Sequence, residues 1–219
     1  VCLSVACNEM GQGCFTTMAN MLAETMKVPY ESIGYLDLCN SDRNEETGAT
    51  ASSRITHAVG LAVTAAGEAL VDALREQAVK TTGAAPETLV HVDGGFLQGG
   101  RLLPFSEIAA SAEVDIARRV RVRTKYSDLP SEGGLGHPHV LYSSNVQIAL
   151  AEVDTATGMA HVDQMHVYVD VGHCMNRLHV EGQSEGGVVM GISYALLEKM
   201  DRKAAKPLNA SFSNYVIPT

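Results

Sequence analysis

Val1–Met26, VCLSVACNEMGQGCFTTMANMLAETM, is the stretch from which the fold is read. Val1–Asn8 alternates as a half-buried strand does, and Glu9-Met10-Gly11-Gln12-Gly13 is a tight turn. Phe15–Met26 then carries Phe15, Met18, Met21, Leu22 and Met26 at helical spacing, and Pro29 is expected to end that helix. A second strand is predicted over Ile33–Leu38, and a polar loop over Cys39–Thr50. The small residues Thr50-Ala51-Ser52-Ser53 open the longest helix, Ser52–Ala78. Ile55, Val59, Ala62, Ala66, Leu70 and Leu74 form its apolar stripe, which predicts packing along a sheet, with Gly60 and Gly67 allowing close approach.

Downstream, Leu89–Leu103 resembles a hairpin turning at Asp93-Gly94-Gly95 and Gly99-Gly100. A short helix follows over Phe105–Ala112, an amphipathic strand over Val120–Lys125, and a Gly- and Pro-rich loop over Ser127–His139. Strands are predicted over Gln147–Val153 and His161–Val171, joined by the turn Asp154–Gly158. A glycine-rich turn then leads into a helix over Glu185–Met200, with Val189, Ile192, Leu196 and Met200 facing inward. The plan of strand, glutamine-bearing glycine turn and helix thus occurs twice. It predicts an α+β protein of two tandem αβ lobes, residues 1–115 and 116–219, with mostly antiparallel or mixed sheets covered by long helices.

Composition narrows the function. Of 219 residues, 46% are hydrophobic and 19% charged, enough to bury a core. Sixteen Lys and Arg against 25 Asp and Glu leave a net charge of −9, which argues against a nucleic-acid partner. The longest apolar run, Ala58–Gly67, is short of the ~20 residues of a membrane span. No leader is recognisable. Cys2, Cys7, Cys14, Cys39 and Cys174 show no CxxC spacing and predict free thiols in a reducing cytoplasm. The chain begins inside an apolar alternation and stops after a strand-like run, so it reads as part of something longer.

Three features could carry chemistry. Gly11-Gln12-Gly13 and Gly182-Gln183 each offer an amide donor and acceptor beside glycines that let a ligand approach the backbone. Thr50, Ala51, Ser52 and Ser53 put hydroxyls and free amides at a helix start, which suits a phosphate, although N-capping by Ser52 or Thr50 explains them equally. Gly182-Gln183-Ser184-Glu185-Gly186 matches the G-x-S-x-G of a serine hydrolase. The last histidine is His179, however, so no triad histidine follows Ser184 within the chain. His137-Pro138-His139 and His173-Cys174 lack the spacing of a chelating set, and no metal ligand is predicted.

Taken together, Glu9–Gly13 with Thr16-Thr17, Thr50–Arg54, Glu152–Gly158, Asp170-Val171-Gly172, Glu181–Gly187 and Asn214–Thr219 resemble, in order, the molybdenum-binding subunit of the xanthine dehydrogenase and aldehyde oxidase family. Asn176-Arg177 departs from the family's Asn-Pro and is expected to change a loop. The resemblance implies a molybdopterin-type molybdenum cofactor lying between the two lobes, with the cytosine dinucleotide form left open. By that resemblance Gly11, Gln12 and Gly13 lie near the metal, and Thr16 lies at the phosphate or nucleotide end. Thr50, Ala51, Ser52 and Ser53 hold phosphates, and Gln183 bonds the pterin or an inorganic ligand. The metal is held by the pterin dithiolene, so no protein ligand cluster is implied.

The implied reaction is hydroxylation of a purine, an aldehyde or an N-heteroaromatic substrate with oxygen from water. Electrons leave through iron–sulfur clusters and FAD on partner domains or subunits. The implied partners are the rest of the molybdenum subunit, an iron–sulfur subunit and a flavin subunit. The general base of that family lies beyond Tyr215-Val216-Ile217-Pro218-Thr219, so no catalytic residue is assigned within the chain, which is expected to be inactive without further segments or partners. The competing readings are a non-catalytic cofactor-binding or assembly module and the serine hydrolase.

Overall fold

The computed structural model describes residues 1–38, 40–44, 47–123 and 142–218. The chain divides into two compact units, Val1–Tyr126 and Ser127–Thr219, and mixes helix and sheet in an α+β arrangement.

In the first unit, β1 (Cys2–Leu3) pairs in parallel with β2 (Gly34–Tyr35), and α1 (Cys14–Met26) crosses between them. Both strands are much shorter than the alternation of Val1–Asn8 and Ile33–Leu38 suggests, and the residues around β1 also bond to loops. The Val1 ammonium donates to the Ser32 carbonyl, Ser4 Oγ donates to Asn44, and the Ala6 carbonyl accepts from Thr47 Oγ1. Pro29 does not end α1. The helix reverses at Lys27, which adopts φ 52°, and the Val28 amide bonds back to the Ala23 carbonyl.

The long helix α2 spans Arg54–Thr82 and is closed by Gly83 in the left-handed region. It buries Ile55, Val59, Val63, Gly67, Leu74 and Ala78, so the stripe differs from the expected one at Ala62, Ala66 and Leu70, which are only half-buried. Its packing partner is also different, because α2 lies on helix α1 and not along a sheet. A Cβ added at Gly60 would stand 2.5 Å from Met21 Cε. One added at Gly67 would stand 2.9 Å from Thr25 Cγ2 and 3.0 Å from Leu22 Cδ1. These glycines bring the two helix axes together. At 29 residues α2 has the length to cross a bilayer, and its apolar character is accounted for by the face that α1 covers.

The Leu89–Leu103 region forms two successive hairpins, β3 (Val90–Val92), β4 (Gly95–Gln98) and β5 (Arg101–Pro104). Helix α3 follows over Phe105–Ala110. Phe96 is fully buried, meets Phe105 edge to face at 5.3 Å, and lies under the Arg75 guanidinium at 5.1 Å. The Gly94 amide donates to the Lys27 carbonyl at 2.7 Å, tying the first hairpin turn to the end of α1. Residues 120–123 form no strand, contrary to expectation, and the rest of that predicted strand lies outside the described residues. The predicted Ser127–His139 loop and His137-Pro138-His139 also lie outside them.

In the second unit, β6 (Ser144–Val153) and β7 (Ala160–Asp170) form a long antiparallel hairpin with a register shift at Leu150 and Ala151. Its turn is held by Asp154, whose carboxylate accepts from the Ala156 amide at 2.8 Å and from Thr157 Oγ1 at 2.7 Å. Helix α4 spans Arg177–Leu196, and a small ribbon, β8 (Arg202–Lys203) with β9 (Lys206–Pro207), follows. The helix begins about two turns earlier than the Glu185 start read from sequence. Asn176 caps it by accepting from the His179 amide at 3.2 Å. Arg177 therefore occupies the first helical position, where proline is well tolerated, so its departure from Asn-Pro alters a helix start and not a loop. Val189, Leu196 and Met200 are exposed and Ile192 is half-buried, so the inward face predicted for this helix is not covered by the described residues of its unit.

The glycines rank the local tolerance of the first unit. Gly95→Ala drives a Cβ into the Leu103 carbonyl oxygen, which is backbone and cannot yield, and should destabilise the chain by about 2 kcal/mol. In Gly60→Ala, the flexible Met21 tip can move and the gain in helix propensity is about 1 kcal/mol, so the change should be near neutral. Gly67→Ala presses on the stiffer Thr25 and should fall between them. Urea unfolding midpoints of the three variants give the order.

Candidate anion-binding corner

Contacts between α1 and α2 run in the same order along both helices, Met21 beside Gly60 and then Leu22 and Thr25 beside Gly67. The helices are therefore parallel, and both begin at the same corner of the first unit. The loops leading into them are joined there, where the Asn8 amide donates to Thr50 Oγ1 at 3.2 Å. Neither cap residue uses its own side chain: Gly13 caps α1 at φ 77° and Ser53 caps α2 at φ 55°, each without a side-chain cap bond. The Glu9 carboxylate meets the α1 start at the Gly13 and Cys14 amides, and the Arg54 amide of α2 bonds the Ala51 carbonyl. Two positive helix ends thus converge, with the α2 start free of any acidic side chain, an arrangement that favours an anion.

The Glu9–Gly13 turn is organised by its own acidic residue. One oxygen of Glu9 accepts from the Gly11 amide at 2.8 Å and from the Gly13 amide at 2.9 Å. Partial burial raises the Glu9 carboxyl, but donors at Gly13, the Cys14 thiol and Gly11 outweigh it and hold it below the ordinary carboxylate range. Gln12 is half-buried. Its Oε1 accepts from the Met10 amide at 2.7 Å and its Nε2 donates to the Asn8 carbonyl at 2.7 Å. An amide carries two donors and two lone pairs, so Gln12 keeps bonding capacity after fixing its turn. Thr16 lies one turn into α1, half-buried, and hydrogen-bonds Tyr35. Burial and the Tyr30 hydroxyl push the Tyr35 phenol up to about 12, so it stays neutral.

Thr50, Ala51, Ser52 and Ser53 form the second loop. N-capping by Ser52 or Thr50 does not account for them. Thr50 Oγ1 serves Asn8, Ser53 occupies the cap position with its hydroxyl unused for capping, and Ser52 and Ser53 both adopt left-handed conformations at φ 51° and 55°. Two consecutive non-glycine residues in that region cost of order 1 kcal/mol each, and such strain concentrates at functional sites. The loop is clamped from below by Arg54, whose Nη1 donates to the Ala49 carbonyl at 2.6 Å and Nη2 to the Thr47 carbonyl at 2.8 Å. Gly48, at φ 76°, makes room for that guanidinium, because a Cβ there would sit 3.2 Å from Nη1. Sequence reasoning did not find the Arg54 clamp or the Glu9 anchor. The second was visible as Glu-x-Gly-x-Gly, a carboxylate within reach of two amides.

Gln183 lies in the second unit, exposed, within α4 and not in a glycine turn. Ser184 is in the same helix, and its hydroxyl donates to the Val180 carbonyl at 2.8 Å. A nucleophile elbow needs a strand-to-helix turn that exposes the serine, so the serine-hydrolase reading is overturned. Arg177 and Glu181 form an i,i+4 pair at 2.7 Å on the first turns of α4. A shallow concavity of the first unit, lined by Thr81, Gln98, Arg101 and Glu107, lies at the opposite end of α2 from the corner and is unrelated to it.

A family model described as a molybdopterin cofactor-binding domain matches residues 1–219. The large subunit of nicotine 6-hydroxylase from Paenarthrobacter nicotinovorans is 28% identical over the whole chain, which covers 27% of that protein. A putative xanthine dehydrogenase molybdenum-binding subunit from Escherichia coli K12 is 25% identical, with 96% of this chain and 28% of that one aligned. Among solved structures, an aldehyde oxidoreductase from Desulfovibrio gigas superposes with a TM-score of 0.70 at 26% identity, over 95% of this chain and 20% of that one. Carbon monoxide dehydrogenase from Oligotropha carboxidovorans shares the fold, with a TM-score of 0.78 at 20% identity, over 97% of this chain and 26% of that one. The chain thus spans about a quarter of the length of the relatives it matches over nearly all its residues.

Glu9 gives the turn a pH dependence of known sign. A carboxyl depressed by folding contributes stability above its unfolded value and loses it as pH falls through the lowered folded value. Amide protection at Gly11 and Gly13, measured by hydrogen exchange, should hold from neutral pH down to about pH 5 and disappear below the carboxylate range. Glu9→Gln should remove the transition and cost about 1 kcal/mol.

Proposed function

This chain belongs to the molybdopterin cofactor-binding domain family, and we propose that the corner where α1 and α2 begin holds the anionic part of that cofactor. The observation that carries this reading is the convergence of two parallel helix starts, of which the α2 start has neither a side-chain cap nor an acidic residue in its first turn. The residues present fit such a group. Exposed hydroxyls at Ser52 and Ser53, strained backbone at both, and the spare bonding capacity of Gln12 suit a phosphate and the polar edge of a pterin.

In this proposal Gly11, Gln12 and Gly13 form the floor nearest the metal, Thr16 contacts the phosphate or nucleotide end, and Thr50, Ala51, Ser52 and Ser53 bind phosphate. Gln183 would contribute an amide from α4. The mononucleotide and dinucleotide forms are both compatible with the corner. When bound, the cofactor supplies the redox chemistry, a two-electron oxidation with water as the oxygen source. The chain's own share is to bind and orient. Amides of the helix starts neutralise the anion, Glu9 keeps the Gln12 turn folded, and Arg54 holds the Thr47–Ser53 loop in its strained conformation.

The whole protein is proposed to be a cytoplasmic molybdenum hydroxylase acting on a small molecule, a purine, aldehyde or N-heteroaromatic compound. It would work with the rest of the molybdenum subunit, an iron–sulfur subunit and a flavin subunit. Within it, residues 1–115 and 116–219 are proposed as successive cofactor-binding lobes. No residue of this chain is assigned as the catalytic base. The relatives' names, which include nicotine, xanthine and aldehyde as substrates, support the class and leave the compound open.

Substitution at Ser53 separates binding from folding. Ser53→Asp places a carboxylate among the amides proposed for phosphate, and should lower the molybdenum and pterin content of the enzyme assembled with this chain while leaving its unfolding midpoint nearly unchanged. Ser53→Gly relieves the left-handed strain without removing an amide, so it should raise stability by about 1 kcal/mol and retain the cofactor. Equal cofactor content in the wild type and the Asp variant would reduce the loop to a helix start.

A further inference from the structure

Cys7 and Cys14 bracket the Glu9–Gly13 turn. Cys7 lies on the segment that leaves β1, and Cys14 is the first residue of α1. Both are buried thiols, and their sulfurs stand 3.1 Å apart. A disulfide needs about 2.05 Å, so roughly 1 Å of sulfur movement separates the pair from a covalent bond. Cys14 Sγ also faces the Asn8 carbonyl at 3.6 Å. Burial, with Cys7 and Glu9 beside it, pushes the Cys14 thiol up, so at neutral pH it persists as a thiol. The turn above the pair is exposed at Glu9, Met10 and Gly11, which gives a small oxidant a short path once the turn opens. Neither sulfur is assigned a contact with the cofactor, and the Cys14 thiol donates to the Glu9 carboxylate, a bond the oxidised form gives up.

We propose that Cys7 and Cys14 are a reversible dithiol–disulfide couple, oxidised by a hydroperoxide, whose closed form pins the Glu9–Gly13 turn. One thiol loses its proton, and the thiolate attacks the peroxide oxygen, giving a sulfenic acid and releasing an alcohol, or water from hydrogen peroxide. The second sulfur then displaces the sulfenic oxygen as water, and the S–S bond forms. Two thiols and one hydroperoxide yield one disulfide, one alcohol and one water, with two electrons passing from sulfur to oxygen. The first step needs a thiolate and is therefore slow at neutral pH and faster as pH rises. The second is intramolecular between sulfurs already in contact. The bond closes a ring around Asn8–Gly13, so the amides of Gly11 and Gly13 lose access to open conformations. Excess low-molecular-weight thiol reverses the bond by exchange.

The test uses the full chain carrying Cys2→Ser, Cys39→Ser and Cys174→Ser, treated with hydrogen peroxide, then unfolded in guanidinium chloride, blocked with a maleimide and weighed intact. The expected product is lighter by two hydrogens, carries no maleimide, and takes two maleimides after dithiothreitol. Its rate of formation should rise with pH. Hydrogen exchange at the Gly11 and Gly13 amides should slow in the oxidised form. A non-reducing peptide map of the unsubstituted chain should show the same Cys7–Cys14 link, which covers poor folding of the triple variant. Two maleimides on the peroxide-treated protein, or a sulfinic acid at either position without the link, would overturn the couple. Unchanged exchange at Gly11 and Gly13 would overturn the pinning.

Discussion

Close parallel packing of α1 on α2 is the constraint on which the first unit depends. Gly60 and Gly67 remove the side chains that would hold the two helices apart, and Met21, Leu22 and Thr25 fill the space. Because the helices run in the same direction, both amino ends arrive at one corner. Two helix dipoles with like ends together repel, and each start also leaves amides without intrahelical partners. At the α1 start the Glu9 carboxylate relieves this by bonding the Gly13 and Cys14 amides. At the α2 start Ser53 leaves its hydroxyl unused for capping and the first turn carries no acidic residue. The positive potential left at the α2 start is what makes the corner suited to an anion.

Around that corner the chain spends its charged residues on backbone. Glu9 accepts from two amides of its own turn, and Arg54 donates to two carbonyls of the opposite loop. Charge-assisted bonds of this kind are stronger than neutral ones, and they hold conformations that the backbone alone would not keep. Ser52 and Ser53 stay left-handed because the Arg54 clamp and the Asn8–Thr50 bond fix the loop on both sides. A ligand then meets a surface already shaped, and little ordering remains to oppose binding.

The two units differ in how far their own residues cover their apolar side chains. The first has a continuous core running from Leu3 and Val5 through Met18 and Met26 to Phe96 and Ile108. The second leaves Ile148, Leu150, Val189 and Leu196 exposed on its hairpin and helix. Burial of a side chain of this size is worth about 2 kcal/mol, so these side chains favour cover from outside their own unit. This agrees with the chain spanning about a quarter of its relatives, in which the same elements belong to much larger proteins.

Several features were legible in the residues alone. The periodicity of Phe15–Met26 and of the Ser52–Ala78 region gave α1 and α2, since apolar spacing is a local property. The hairpins at Asp93-Gly94-Gly95 and Asp154–Gly158 were readable from turn residues, and Gln12 and Ser53 stood out through their neighbours. What periodicity does not contain is the partner of a buried face. The same small-residue stripe fits a sheet or a helix, and only the tertiary contacts of Gly60 and Gly67 show that α1 fills it. Gly182 misled for a related reason. Glycine lowers helix propensity without forbidding a helix, and α4 runs through Gly182 once Asn176 has capped its start. The convergence of the two helix starts, the Arg54 clamp and the contact between Cys7 and Cys14 all join segments that separate periodicities cannot align, and so they were decided by the tertiary structure.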